Sequence, residues 1–523
     1  MSDEPKAVNR PVDPHLREID PFEGAEAEVD ENLDGAAIER RATQGVGLLV
    51  GQMFGLQILT LGVTVVLART LSIDDYGIFA IAIAIQQAGL ALVELGVPAS
   101  LINRENSPSL HEQRAVTGFV LVAAVSVCAL VALVAFVVLP AFNGGFDAIR
   151  FAFVATLALP ILAWRTIPTV LLERRLRYGR VTALYTADTI VFNLAALSGG
   201  LAGLGALSLV LAVPAGAFAG MIAAFALQRS SRGLAWDFGV IRPMISFGSQ
   251  VSIKQGVILA RDLVFVSLIA TIGGQTAAGF YAMSQRVLGV PLAFSLALNR
   301  VGFPAMARTD EGDVRFHNAA RSIAIASAAI GLVLAVCAGA AQPLLDFLFG
   351  SRWTPAADIV VPSAAGFLVM AGAGSIISSL RLSLGDAQTP MVSAIVDSAF
   401  LCGSAVFLIH WNSTTGVGMA IFIGAVAGVL VLLSRSTPTV RHSMVDLARA
   451  FAIAAVAATV GLMLPPQAGL VGVLVSASGS ALTWLLLTFL FSRSELKLIL
   501  GLVSRALKGR SSEEPLSRSG GRA

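Results

Sequence analysis

The sequence predicts an all-α integral membrane protein of about fourteen transmembrane helices: two pseudo-symmetric six-helix lobes plus two C-terminal helices. Three observations carry this reading. The 523 residues are 56% hydrophobic and only 13% charged, about half the charged share of a soluble domain. Uncharged runs near the ~20 residues that span a bilayer recur along the chain, whose mean hydropathy is +0.79, and the ~10-residue alternation of a membrane barrel is not seen. A short pattern also returns after about 200 residues, the length of about six spans.

The elements follow in order. Residues 1–43 are acidic, contain prolines and lack an apolar core, so they read as a disordered cytoplasmic tail and not a signal peptide. Apolar runs at 45–67, 76–99, 116–139, 149–169, 181–203 and 205–227 give an N-terminal lobe, 44–228. The first run carries Gly47, Gly51 and Gly55 every fourth residue, a face on which helices pack closely. Ser72-Ile-Asp-Asp75 reads as a capping box at the start of the second. Runs at 245–272, 279–301, 320–345, 358–383, 388–410 and 414–434 give a C-terminal lobe, 243–435. Two further runs, 446–464 and 468–491, fill 445–492, and 493–523 is a basic cytoplasmic tail.

Arginine sets the orientation. With the N-terminus inside, the inner loops hold Arg104, Arg114, Arg174, Arg175, Arg177, Arg180, Arg229, Arg232, Arg242, Arg308, Arg315, Arg435 and Arg441, while the outer loops hold Arg69, Arg150 and Arg352. That bias puts both termini in the cytoplasm and supports an even helix count. The outer loops are short and leave no room for an extramembrane catalytic domain. Cys128, Cys337 and Cys402 all lie in apolar runs, without disulfide or metal-ligand spacing, and read as buried structural thiols. No catalytic residue, no metal and no cofactor is expected.

The recurring pattern aligns Ala68–Ala80 with Ala270–Ala282, matching Gly77 to Gly279. An offset of six helices leaves both halves in the same orientation, related by an axis along the membrane normal.

The seventh run is the one that points to function. It carries Lys254, Arg261 and Asp262, and a charge at mid-bilayer costs roughly 2.5–3.5 kcal/mol. Gln250, Lys254 and Arg261 fall within about 40° on one helical face, with Asp262 roughly 100° away and better placed to meet a neighbouring helix. A stripe of this kind lines a polar lumen, and the repeat sets Gln52 opposite Lys254. Gln87 and Glu94 share a face of the second run, and Gln285 and Arg286 open the eighth. The plainer alternative is ion pairing of the cations with acids on nearby helices: Glu94, Asp188 or Asp397. The expected cavity residues are therefore Lys254, Arg261, Gln52, Gln250, Gln87 and Arg286.

Several stretches resemble one family. They are Leu67-Ala-Arg-Thr-Leu-Ser-Ile-Asp-Asp-Tyr-Gly-Ile-Phe-Ala80, Glu94-Leu-Gly, Asp262, Gly279-Phe-Tyr281-Ala-Met with Pro291, Phe303-Pro304-Ala-Met-Ala-Arg308, and Phe349-Gly-Ser-Arg-Trp353-Thr-Pro-Ala-Ala. They resemble the polysaccharide-transporter (Wzx-type) flippases of the MOP superfamily over roughly residues 45–435, with Glu94 where the family usually has Asp. The resemblance implies flipping of oligosaccharides carried on polyprenyl diphosphate across the cytoplasmic membrane. It also implies drive by an H⁺ or Na⁺ gradient, with Glu94, Asp188, Asp262 and Asp397 as ion-coupling candidates. The expected partners are that lipid-linked oligosaccharide, membrane lipids and the polysaccharide polymerase and chain-length machinery, with no nucleic acid. Arg and Lys in a wet cavity suit a diphosphate, and glutamines suit sugar hydroxyls. A MATE-like small-molecule antiporter is the alternative, and it would be expected to line its cavity with acids and aromatics. A membrane glycosyltransferase built on Asp74 and Asp75 is the enzyme alternative, which the short outer loops oppose.

Overall fold

The computed structural model describes residues 52, 55–102, 107–138, 147–175, 177–228, 230, 233–307, 312–465 and 469–493, all of whose regular structure is helical. The expected tails, apart from Arg493, lie outside the described residues, as do Gly47 and Gly51. Twelve described stretches are long and apolar enough to cross a membrane, and Gly55–Thr70 is a shorter apolar helix. One stretch, Gln255–Gly289, is broken at Gly274, where φ of +84° turns the chain. The order of helices is therefore that expected from the sequence. They are α1 (Gly55–Thr70), α2 (Ile73–Glu94), α3 (Leu110–Leu133), α4 (Ala148–Arg174), α5 (Tyr178–Leu201), α6 (Ala206–Leu227) and α7 (Phe238–Leu268). Then come α8 (Gly274–Ala307), α9 (Gly312–Gly339), α10 (Ser351–Ser383), α11 (Gln388–Trp411), α12 (Thr415–Ser434), α13 (Met444–Met463) and α14 (Gly469–Phe491).

The packing repeats with a period of six helices. α2 and α3 both lie on α4, α4 lies on α6, and α5 pairs closely with α6; α8 and α9 lie on α10, α10 on α12, and α11 on α12 in the same way. α13 and α14 pack on α9.

The halves meet through residues that are equivalent in the repeat. Thr276 Oγ1 donates to Asp74 Oδ1 at 2.6 Å, and these residues are 202 apart in sequence. The same offset relates Gly77 to Gly279 and Ile73 to Gln275. A methyl group on Gly77 would overlap the Gln275 carbonyl, and one on Gly279 would overlap the Ile73 carbonyl. Each glycine thus admits the carbonyl four residues before its counterpart, which places the pseudo-two-fold axis at this contact. Ser72 and Asp75 form the expected capping box of α2, and Asp75 Oδ1 also accepts from the Ala206 amide at 2.8 Å, holding α6 to the same corner.

A clasp closes the bundle at this end. Arg352 Nη2 donates to the Ala68 carbonyl and, at 2.7 Å, to that of Leu71, and Trp353 Nε1 donates to Ala68 at 3.0 Å. These carbonyls cap the C-terminus of α1, where a cation is favoured. Trp353 is fully buried and meets Tyr76 edge-on, with centroids 5.2 Å apart. Arg352, one of the three outer-loop arginines of the sequence reading, therefore joins the halves. Gly55, expected in a packing face, would meet open space if it carried a methyl.

At the opposite end Asp237 caps α7, accepting from the amides of Gly239 at 2.9 Å and Val240 at 3.3 Å, and it lies 2.9 Å from His111 Nε2. The His111 contact, followed by the cap bonds, holds this carboxyl below the usual carboxylate range. Its folded form therefore binds a proton less readily than its unfolded form. The contact stabilises the protein at neutral pH and is lost as pH falls through the lowered pKa. Thermal unfolding followed from about pH 6 to pH 3 should show a wild-type decline on the acid side that Asp237→Asn flattens. Parallel curves would exclude a role for this carboxylate.

Candidate functional site: a cavity between the halves

A cavity of about 930 Å³ lies where α1 and α2 face α7 and α8. Its lining runs along α2 from Phe79 to Glu94 and on to Pro98, so it extends away from the clasp. The same 202-residue offset organises its wall: Phe79 faces it with Tyr281, Ala80 with Ala282, Ile83 with Gln285, Ala84 with Arg286 and Gln87 with Gly289. The repeat thus builds the cavity from matched positions, while the chemistry at them differs. Both halves contribute polar groups, and the arginine comes from the second.

Gln57, Gln87, Gln255 and Gln285 line the cavity with Arg286, Glu94 and Asp262. Among the described residues Arg286 is the lining's one cation, and neither it nor Glu94 makes an ion pair or hydrogen bond. Keeping an unpaired guanidinium within the bilayer's thickness is costly unless water or a ligand solvates it. α1 reaches α8 closely at this point, since a methyl on Gly289 would lie 2.9 Å from Gln57 Nε2.

The other charges expected here are placed elsewhere. Arg261 Nη1 donates to Asp397 Oδ2 at 2.6 Å, while its Nε and Nη2 reach Asp262 Oδ1 at 3.0 and 2.9 Å. The orientation expected from the helical wheel is thus reversed. Asp262 lines the cavity in register with Gln255, Leu259 and Val266, and Arg261 turns to α11. Asp397, 6% exposed, lies in a niche left by Gly424, where a methyl would come within 2.8 Å of its Oδ1. The ion-pairing alternative therefore describes Arg261. Asp188 pairs with Arg165 Nη1 at 2.7 Å between α5 and α4, with Arg165 seated on Gly220 and stacked at 5.9 Å over Tyr185. Gln52 donates to the Thr182 carbonyl at 2.7 Å and to Thr186 Oγ1 at 2.9 Å, so it ties the first helix to α5. Gln250 and Lys254 are in α7, but their side chains lie outside the described residues.

The family model described as "Polysaccharide biosynthesis protein" matches residues 66–358, more than half of the chain. The chain belongs to that family. The match takes in the turn between α1 and α2, the cavity-facing parts of α2, α7 and α8, and Trp353. No curated protein sequence matches. Among solved structures, the chain is similar to the lipid II flippase MurJ in its inward closed conformation. The TM-score is 0.69 at 13% identity, covering 86% of this chain and 99% of that one. It is also similar to an inward-facing multidrug resistance MATE family transporter of the MOP superfamily, with a TM-score of 0.51 at 14% identity, covering 77% and 95%. These likenesses establish the fold and agree with the resemblance read from the sequence motifs.

Sequence reasoning placed Gln87, Glu94, Gln285 and Arg286 with the cavity, turned Asp262 away from it, and missed Gln57 and Gln255 as lining residues. A signal was present. Gln57 and Gln255 are polar residues in apolar helices, although the repeat offset, which sets them against Leu259 and Met53, does not raise them.

Proposed function

We propose that this protein flips an oligosaccharide carried on polyprenyl diphosphate from the inner to the outer leaflet of the cytoplasmic membrane, for surface polysaccharide synthesis. The observation that carries the reading is the unpaired Arg286 in a large cavity between two halves that four glutamines also line. A diphosphate crossing the low-dielectric region needs charge-assisted donors, which a guanidinium supplies as a planar fork. The glutamines donate to and accept from sugar hydroxyls, and the lipid tail stays in the bilayer. Both termini face the cytoplasm, and the flipped product passes to the polymerase and chain-length machinery. Rocking of the halves about the axis contact exposes the cavity alternately. Glu94, the unpaired acid of the wall, is the favoured site for the coupling H⁺ or Na⁺. Asp262 and Asp397 share Arg261, and Asp188 has Arg165. Lys254 and Gln250 remain proposed contributors to the inner mouth.

The test is genetic and chemical together. In a deletion strain, lipid-linked oligosaccharides are extracted and identified by mass spectrometry after complementation. Arg286→Ala should accumulate the complete lipid-linked repeat unit and cut surface polymer about tenfold or more, and Arg286→Lys should recover part of it by keeping charge without the fork. Truncated glycans in place of a complete unit would point to a glycosyltransferase. Unchanged glycans with raised drug sensitivity would point to a small-molecule exporter.

A further inference from the structure

A second cleft, of about 630 Å³, opens between the start of α9, the short helix Pro438–His442 and the start of α13. α9 ends beside the clasp, so this cleft lies at the opposite end of the bundle, the end that the arginine bias puts in the cytoplasm. It is separate from the central cavity, with which it shares no residue.

Its polar groups are mostly hydrogen-bond donors. His317 and Arg321 stand one helical turn apart on α9, and His442 faces them from the short helix. All three are exposed, and none makes a hydrogen bond or ion pair with a described residue. The neighbouring Arg441, by contrast, is committed to the carbonyls of Leu433 and Ser434 at 3.2 and 2.7 Å. One acid, Asp446, lines the cleft, and it lies 3.6 Å from Arg449 on its own helix. Thr439 and Ser443 complete the polar side. Among the described residues no group of three or more His, Cys, Asp or Glu is arranged to hold a metal ion.

We propose that this cleft binds a phosphate group. A guanidinium offers a fork that matches two phosphate oxygens, and two imidazoles can each donate a further bond. The volume is ample for a phosphate with its substituents. The phosphate can belong to the headgroup of an anionic phospholipid of the inner leaflet or to a soluble phosphate compound. The chemistry is common to both, and the site would fasten α13 to α9 through either. This inference does not depend on what the central cavity carries.

The experiment uses the full-length protein purified in detergent. In one arm it is equilibrated with equal phosphatidylglycerol and phosphatidylcholine, and retained lipid is read by native mass spectrometry. In the other, thermal unfolding is followed with 10 mM inorganic phosphate. The variants are Arg321→Ala and His442→Gln, and Arg242→Ala, which removes an exposed arginine from α7, is the control. Selective phosphatidylglycerol retention, reduced several-fold in the two cleft variants and kept in the control, would assign a lipid headgroup. A phosphate-dependent rise in melting temperature, lost in the same variants without a lipid effect, would assign a soluble phosphate. Equal loss in the control, or no response in either arm, would overturn the proposal. Wild-type melting temperatures without added ligand separate misfolded variants from loss of binding.

Discussion

Arg261→Ala is expected to destabilise the protein by roughly 3–5 kcal/mol, the cost of stripping a buried carboxylate of its cation. The exposures decide the size. Asp397 is 6% exposed and Arg261 21%, so neither is solvated by bulk water, whereas Asp262 at 45% opens to the cavity. The bond to Asp397 is also the charged link between α7 and α11. Exposed ion pairs of the kind seen between Asp446 and Arg449 contribute about 0–1 kcal/mol at most. The measurement is a denaturant or thermal unfolding series in one detergent, with Arg261→Ala, Asp397→Ala and the pair Arg261→Met with Asp397→Leu. The single changes should each be costly and the double change should recover most of the loss, because apolar replacement of a buried pair is often close to neutral. If Arg261→Ala lay within 1 kcal/mol of wild type, the pair would contribute nothing to α7–α11 packing, and an unpaired Asp397 would have to be solvated by water entering beside Gly424. The same series bears on coupling. A tethered guanidinium already neutralises Asp397, so restoring stability with the double change should leave any ion dependence of transport intact if Glu94 carries it.

The sequence made the helices legible because hydropathy runs and breaks at turns are local properties. The Ser72–Asp75 capping box and the turn at Gly274 each depend on residues within a few positions of one another, and both were found where the pattern put them. The repeat was legible for a different reason. Gly77 and Gly279 sit at the symmetry axis, where they admit the carbonyls of Gln275 and Ile73, so the same local pattern stands around both in the sequence itself. What could not be read was which face of α7 turns to the cavity. Helical spacing groups Lys254 with Arg261 but is blind to the rotation of the helix about its own axis. That rotation follows from Asp397 and Gly424, which lie far along the chain and supply the niche that draws Arg261 to α11. Gln52 was misjudged in the same way, because its partners Thr182 and Thr186 are four helices on. Polar residues in apolar helices marked the right helices, and tertiary packing chose the faces.

The axis glycines also set the second large expectation: Gly279→Leu should abolish transport while leaving a folded protein. In the present conformation the cavity is shut at the clasp end by close approach of α2 and α8, and there is no space for a side chain at either Gly77 or Gly279. A bulky group there must push the helices apart. Overpacking of this sort costs roughly 1–3 kcal/mol, enough to shift a two-state equilibrium by roughly fivefold to 150-fold. That cost falls on the closed arrangement alone, since the conformation with α2 and α8 separated at this end has room for the side chain. With the orientation proposed above, the variant should therefore rest open toward the outside. With the native cysteines replaced, Gln87→Cys in the cavity wall should react with a membrane-impermeant thiol reagent applied outside, at least several-fold faster on the Gly279→Leu background than on the Gly279 background. Gly77→Leu should behave alike, because the contact is reciprocal. Gly403→Ala, in α11 with open space around it, is the control and should leave labelling and transport unchanged. Unaltered labelling with transport lost would mean that the glycine contact does not gate the cavity, and the clasp of Arg352 and Trp353 on the end of α1 would then have to hold the outer side shut by itself.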